Sequence, residues 1–129
     1  MYVDASALTA ILKNEPERAA FIAAIDEAGA PITSVVSAFE AAMAVSTLTG
    51  SCSSAASEVA RFLAQSKVEV LAINGACLNE LAQARDRYGK GSGHPANLNL
   101  GDCFSYAIAR MQDVGLLYKG NDFARTDLA

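Results

Sequence analysis

Residues 1–12, MYVDASALTAIL, place a short β-compatible run, Tyr2-Val3-Asp4, directly before apolar residues that recur at helical spacing. This pattern predicts a strand that leads straight into a helix, with Asp4 at the junction. Residues 30–34 and the alanine-rich segment 35–48 repeat the same order. Strands that alternate with helices imply a parallel sheet covered on both faces, because parallel neighbours need helical crossovers. We therefore predict an α/β fold with a parallel sheet of four or five strands, flanked by helices on both faces.

The rest of the chain continues this alternation. Further strands are predicted at 68–71 and 114–118, and further helices from Pro16 to Gly29, around 59–63, from Asn74 to Arg87 and over 101–111. Residues 51–57, rich in Ser and Ala, are predicted as a linker, and 88–100 as the longest irregular stretch. In open parallel sheets, ligands bind beyond the carboxyl ends of the strands, so polar residues that follow strands are the first functional candidates.

Length and composition limit the chemistry. The 129 residues, 52% hydrophobic and 19% charged, suit one domain spanning 1–129. With 1 His and 3 Cys outside any CxxC pattern, the chain has little material for a zinc site, so carboxylates must hold any metal. Such hard oxygen ligands suit Mg²⁺ or Mn²⁺. The cysteines are expected to be buried thiols of a cytoplasmic protein with no membrane segment, since no run of about 18 apolar residues occurs.

Four acidic residues are candidates for a functional site because of where they lie in the predicted strands and helices. Asp4 follows the first strand, Glu40 lies among apolar residues of a helix, Asp102 opens the helix after the irregular stretch, and Asp122 follows the last strand. Each has an ordinary structural interpretation: helix capping for Asp4 and Asp102, a solvated face for Glu40 and a turn for Asp122.

Taken together, the four acids predict a metal site. Carboxylates that converge on one crevice repel each other unless a divalent cation lies between them. Such a cation, held by carboxylates and water, typically handles phosphate oxygens and activates a water molecule, which indicates phosphodiester chemistry. Removing the four from the 14 acids leaves 10, equal to the 10 Lys and Arg, so the formal net charge of −4 is assigned to the site.

Four segments of the chain, in order, resemble VapC-type PIN-domain ribonucleases, the toxins of type II toxin–antitoxin pairs. They are MYVDASALTAILKNEPER, SVVSAFEA around Glu40, NLNLGDCFSYAIAR around Asp102 and LLYKGNDFARTDL at the end. The resemblance implies a PIN-like fold and Mg²⁺- or Mn²⁺-dependent endoribonuclease activity. It also implies a homodimer, an RNA substrate and a small cognate antitoxin that occludes the acidic site.

Carried over by position, the resemblance implies that Asp4, Glu40, Asp102 and Asp122 are catalytic, with Asp4 and Asp102 as the metal ligands. Ser6 matches a residue that supports the first acid. The fourth acidic position is ambiguous between Asn121 and Asp122; we choose Asp122, with Asn121 as its neighbour. The mechanistic hypothesis is that Glu40 orients or deprotonates the attacking water and that Asp122 holds a second ion or its water.

Positively charged residues lie at and just after the end of the helix predicted from Asn74 to Arg87. Arg85, Arg87 and Lys90 are candidates for RNA contact, because basic side chains position phosphates without reading sequence. The nearby GKGSGH stretch lacks the spacing of a phosphate-binding P-loop and follows a helix rather than a strand, so a flexible connection that includes His94 is the better interpretation.

Three other interpretations remain open from the residues. A receiver-like signalling domain has a similar length but needs an acid pair after the first strand, and here only Lys119 fits its pattern. A haloacid-dehalogenase-like phosphatase needs an Asp where Ser6 stands. A catalytically inert α/β binding module needs none of the four acids.

Overall fold

The computed structural model describes all 129 residues and contains a fully parallel sheet of four strands in the order β3-β2-β1-β4. The strands are β1 (Tyr2–Val3), β2 (Ile32–Ser34), β3 (Glu69–Leu71) and β4 (Leu116–Leu117). The helices are α1 (Ala5–Leu12), α2 (Arg18–Glu27), α3 (Val35–Thr49), α4 (Cys52–Gln65), α5 (Cys77–Tyr88) and α6 (Leu100–Met111). The predicted α/β class and parallel sheet are confirmed.

The two residues of β1 show how the layers are divided. Val3 packs into a core with apolar residues of α1, α3 and α4, whereas Tyr2 packs with residues of α5 and α6. Successive side chains of a strand point to opposite faces of the sheet, so the two cores lie on opposite faces. Helices therefore cover both sides of the sheet, as predicted.

Two local predictions were wrong. Residues 51–57 are not a linker: α4 begins at Cys52, and the Ser51 hydroxyl accepts a hydrogen bond from the Ser54 amide at 3.0 Å. Serine is a strong N-cap and alanine the best helix former, so this composition suits a helix start as well as a loop. Pro16 lies in a turn, and α2 begins only at Arg18.

The order of the strands brings the predicted acidic positions to one edge of the sheet. Asp4 directly follows β1, α3 leaves the end of β2, and the 119–123 loop follows β4. β1 is central and pairs with both β2 and β4, so these three strand ends are neighbours.

No single helix is long and apolar enough to cross a membrane; α3 and α4 reach the required length and composition only as a pair, and the chain bends by 119° between them. The three cysteines are free thiols, with Cys77 and Cys103 buried and Cys52 partly exposed.

Candidate active site

Asp4 is buried, with 5% of its surface exposed, and its carboxylate is fixed by three hydrogen bonds. The Ser6 amide and hydroxyl donate to Oδ2 at 2.9 and 2.6 Å, and the Ser105 hydroxyl donates to Oδ1 at 2.6 Å. Asp4 is also the N-cap of α1, so the capping interpretation holds beside the functional one. An ionised carboxylate is costly to bury without such donors. Ser6, to which the resemblance gave a supporting role beside the first acid, makes two of these three contacts.

Glu40 does not lie on a solvated face of α3. Its side chain is half-buried, and its carboxylate lies against the backbone of Gly101 at the start of α6. Burial, followed by the negative charges of Asp4 and Asp102, raises the pKa of Glu40 to about 7. The carboxyl group is therefore close to half-protonated at neutral pH.

Asp102 stabilises the start of α6 and also interacts electrostatically with other acids. It forms a capping box with Asn99: the Asn99 amide donates to Asp102 Oδ2 at 3.0 Å, and the Asp102 amide donates to Asn99 Oδ1 at 2.9 Å. Burial raises the pKa of Asp102 to about 6, with Asp122 and Asp4 adding to the rise and the Asn99 amide opposing it. The Asp102 carboxylate therefore lies close enough to Asp122 and Asp4 for their charges to affect its pKa.

Asp122 and Asn121 are both exposed in the loop that follows β4. The loop is attached to the site through Ser6, whose hydroxyl accepts a hydrogen bond from the Lys119 amide at 3.0 Å. The negative charge of Asp122 acts on the pKa of Asp102, whereas the Asn121 carbonyl accepts from the Ala124 amide within the local turn. The electrostatic contact with the other acids therefore belongs to Asp122.

The four predicted acids are brought together without a cationic side chain to neutralise them. None of them forms an ion pair; the ion pairs of the chain use Glu15, Glu17, Glu58 and Asp127 instead. No group of three or more His, Cys, Asp or Glu side chains is arranged to hold a metal ion. The site is consequently a group of acids that no cationic side chain neutralises.

The structure separates the three predicted basic residues. Arg85 and Lys90 line one groove with Asn99 and Leu100, beside the N-terminus of α6. Arg87 instead pairs with Asp127 at 3.5 Å and lies over the Tyr88 ring at 4.8 Å. Of the three, only Arg85 and Lys90 lie in this groove, whose link to the acids is Asn99, the capping partner of Asp102. His94 is part of the loop, where its Nδ1 accepts from the Ala96 amide at 3.0 Å.

Sequence reasoning missed three residues that shape the site: Asn99, Gly101 and Ser105. Ser105 lies three residues after Asp102, which puts both on the same face of α6. That spacing is the one signal from which Ser105 was predictable. The contact between Gly101 and Glu40 joins two distant segments, and no local pattern marks it.

Comparison with known proteins gives concordant matches over the whole chain. The PIN domain family matches residues 1–128. Ribonuclease VapC30 of Mycobacterium tuberculosis is 36% identical over 129 residues, covering 100% of this chain and 96% of its own. A VapC ribonuclease of Rhizobium meliloti is 36% identical over 139 residues, covering 98% of each chain. Ribonuclease VapC of Mycolicibacterium smegmatis is 36% identical over 129 residues, covering 100% of this chain and 98% of its own.

Proposed function

The chain belongs to the PIN-domain family, and we propose from this membership that it is a VapC-type endoribonuclease, the toxin of a toxin–antitoxin pair, which hydrolyses RNA phosphodiester bonds. The observation that carries the proposal is the meeting of Asp4, Glu40, Asp102 and Asp122 at one edge of the sheet without a cationic partner. The relatives named as VapC ribonucleases support the same conclusion.

Asp4 and Asp102 are our proposed ligands for Mg²⁺ or Mn²⁺. The donor set fits these ions, since it consists of carboxylate oxygens; burial and, after it, the charges of the neighbouring acids raise the pKa of Glu40 and Asp102. The lack of a complete protein-only cage fits as well, because Mg²⁺ is normally held by one or two carboxylates together with waters and substrate phosphates. When bound, the ion supplies neutralisation of phosphate charge and activation of a water molecule.

Asp4, Glu40 and Asp122 have different proposed roles in the reaction. Three donated hydrogen bonds hold the Asp4 carboxylate in one orientation. Glu40, with a pKa of about 7, is suited to accept a proton from the attacking water near neutral pH. Asp122, at the exposed side of the cluster, is the proposed holder of a second ion or of its water, with Asn121 beside it.

Arg85 and Lys90 are the proposed contacts for RNA phosphates next to the cluster. Both side chains are exposed, and their groove adjoins the N-terminus of α6, which also favours negative charge. Arg87, committed to Asp127, is the weaker of the three predicted contacts.

The proposed partners are a cognate antitoxin and a second copy of the chain, in the cytoplasm. An apolar groove of about 460 Å³ between α3 and α4 is lined only by apolar residues and borders the helix that carries Glu40. Exposed apolar surface of this kind marks protein interaction sites. We propose the groove as a docking surface for the antitoxin.

Cleavage of cellular RNA tests the proposal. Purified protein is incubated with total RNA and Mg²⁺, with a chelator in a parallel sample, and the new RNA ends are mapped. We expect discrete cuts that disappear with the chelator and with Asp102→Asn. Asp26→Asn, an exposed acid on α2, is the matched control and keeps the cuts. A wild-type protein that makes no chelator-sensitive cut would favour an inert module instead.

A further inference from the structure

A chain of buried hydroxyl groups ends on the Asp4 carboxylate. Tyr2 Oη lies 2.7 Å from Ser34 Oγ and 2.8 Å from Ser37 Oγ, and Ser37 Oγ lies 3.2 Å from Ser105 Oγ. Ser105 then donates to Asp4 Oδ1 at 2.6 Å. All four hydroxyl-bearing residues are fully buried, with 0% of their surface exposed. Buried hydroxyls are costly unless they are hydrogen-bonded, so this chain calls for an explanation.

The direction of the chain follows from counting hydrogens. Each hydroxyl has one hydrogen to donate, and an aspartate carboxylate only accepts. Because Ser105 donates to Asp4, its oxygen accepts from Ser37, and Ser37 in turn accepts from Tyr2. Tyr2 Oη is then left to accept from Ser34. All four O–H groups therefore donate in the same sense along the chain, which ends at Asp4. In such an arrangement hydrogen bonds polarise one another.

The two central serines lie one helical turn from the other acids. Ser37 precedes Glu40 by three residues on α3, and Ser105 follows Asp102 by three residues on α6, so each serine shares a helix face with an acid. The contact between Ser37 and Ser105 joins α3 to α6 directly beneath the acidic cluster. One hydrogen-bonded chain thus connects the three elements that carry Asp4, Glu40 and Asp102.

We propose that Ser37 and Ser105, backed by Tyr2, are positioning residues that fix Asp4 relative to Glu40 and Asp102 for divalent-cation binding. The proposal rests on the proposed function for its consequence in RNA cleavage, but its claim about the cation is separate. Removal of Ser105 takes away the only side-chain donor to Asp4 Oδ1. Removal of Ser37 leaves that donor in place but releases it from α3. Outer-shell partners of metal ligands typically change metal affinity by about 10- to 100-fold.

The strand β2 offers a matched control. Thr33 precedes Ser34, is equally buried, and donates its hydroxyl to the Val3 carbonyl at 2.8 Å. Its side chain faces the opposite side of the sheet from Ser34 and does not join the chain. Thr33→Val therefore removes a buried hydroxyl of the same kind without removing any hydrogen bond to the Asp4 carboxylate or the link between α3 and α6.

The test measures Mn²⁺ affinity by calorimetry on chelator-treated protein, together with unfolding by urea and RNA cleavage. We expect Ser105→Ala to lose Mn²⁺ affinity by at least about tenfold, Ser37→Ala by less and Tyr2→Phe by the least, following their distance from Asp4. The Ser37→Ala and Ser105→Ala effects on affinity are expected to be less than additive, since both break one chain. Thr33→Val is expected to lose stability while it retains wild-type Mn²⁺ affinity.

Three outcomes would overturn the inference: Ser37→Ala and Tyr2→Phe binding Mn²⁺ as tightly as wild type, Thr33→Val losing as much affinity as Ser105→Ala, or wild type binding no Mn²⁺. If Ser105→Ala does not fold, Ser37→Ala and Tyr2→Phe still decide the matter. Wild-type protein that binds Mn²⁺ but does not cleave RNA, with graded loss in the serine variants, would support this inference while it refutes the proposed function.

Discussion

The carboxylate of Glu40 lies so close to Gly101 that a Cβ atom at position 101 would stand 2.2 Å from Glu40 Oε1 and 2.4 Å from Cδ. Real Cβ atoms do not approach other heavy atoms this closely. Gly101 is the second residue of α6, directly before Asp102. The absence of a side chain there allows Glu40 to reach the N-terminus of α6, where the helix dipole favours a negative charge.

Gly101→Ala is therefore expected to impair catalysis more than folding. The new methyl group displaces the flexible end of Glu40, which moves at little cost in stability, and alanine is the better helix former. A displacement of about 1 Å in a catalytic group lowers rates by on the order of 10²-fold. Comparing RNA cleavage rates with urea unfolding curves checks the prediction. Gly115→Ala is the control, because a Cβ at position 115 meets no atom within 4 Å. Full activity in Gly101→Ala would show that the position of Glu40 is unimportant.

The acidic cluster also predicts how stability depends on pH when no divalent cation is present. In the folded chain the pKa is about 7 for Glu40 and about 6 for Asp102, above the ordinary values of 4.5 and 3.8. At a pH between the ordinary pKa and the folded-state pKa of each group, the unfolded state binds fewer protons than the folded state. The free energy of unfolding therefore falls as pH rises from about 4 to about 7. Glu40→Gln removes part of this fall. Urea titrations with a chelator at about pH 5 and about pH 8 test the prediction, and an equal fall in both proteins would contradict it.

Arg85 and Arg87 are two residues apart but are expected to behave differently. Arg85→Ala and Lys90→Ala should weaken RNA binding and lower the slope of log affinity against log salt by about 0.7 each, as for single-strand phosphate contacts. Arg87→Ala should have little effect on RNA binding, because Arg87 is engaged with Asp127. Its loss should reduce stability by no more than about 1 kcal/mol, as is typical of exposed ion pairs. Binding curves at several salt concentrations decide the matter; equal slopes for the three variants would refute the distinction.

Asp127 has a structural position near the end of the chain. Burial raises the pKa of Asp127, but the Tyr106 hydroxyl, which donates at 2.7 Å, and the guanidinium groups of Arg110 and Arg87 lower it overall. Asp127→Ala leaves the buried Tyr106 hydroxyl without this acceptor, and we expect a loss of about 1–3 kcal/mol in unfolding free energy. The activity of the folded fraction should not change. Tyr106→Phe in the same chain should recover part of the loss, and strict additivity of the two substitutions would argue against the contact.

Local patterns in the sequence were enough to predict the sheet and to single out the four acids as candidates. The strand-to-helix junction at Asp4 is set by hydrophobic spacing over adjacent residues, and the parallel order of strands then brings distant junctions to one edge. Glu40 was detectable because a lone carboxylate in an apolar helix is unusual. The linker predicted at 51–57 was wrong because Ser and Ala are common both in loops and at helix starts.

Apart from Ser6, the contacts that position the acids join segments far apart in the sequence. Ser105 is 101 positions from Asp4, and Tyr2 is 35 positions from Ser37, so only the folded chain brings them together. A serine or glycine inside a helix does not by itself indicate a functional role, because that role depends on which residues of another segment pack against it. Tertiary packing, rather than propensity, decided these contacts.

The role of the Asp4 carboxylate is measured by the rate of Mg²⁺-dependent cleavage of one labelled RNA by wild type, Asp4→Asn and Asp26→Asn at equal folded concentration. Asparagine keeps the size of Asp4 but removes the charge, so cleavage should fall by at least about 10³-fold if the carboxylate is needed for the reaction. Asp26→Asn should cleave at the wild-type rate. Equal cleavage by wild type and Asp4→Asn would show that the reaction does not need the Asp4 carboxylate and would place the active site elsewhere.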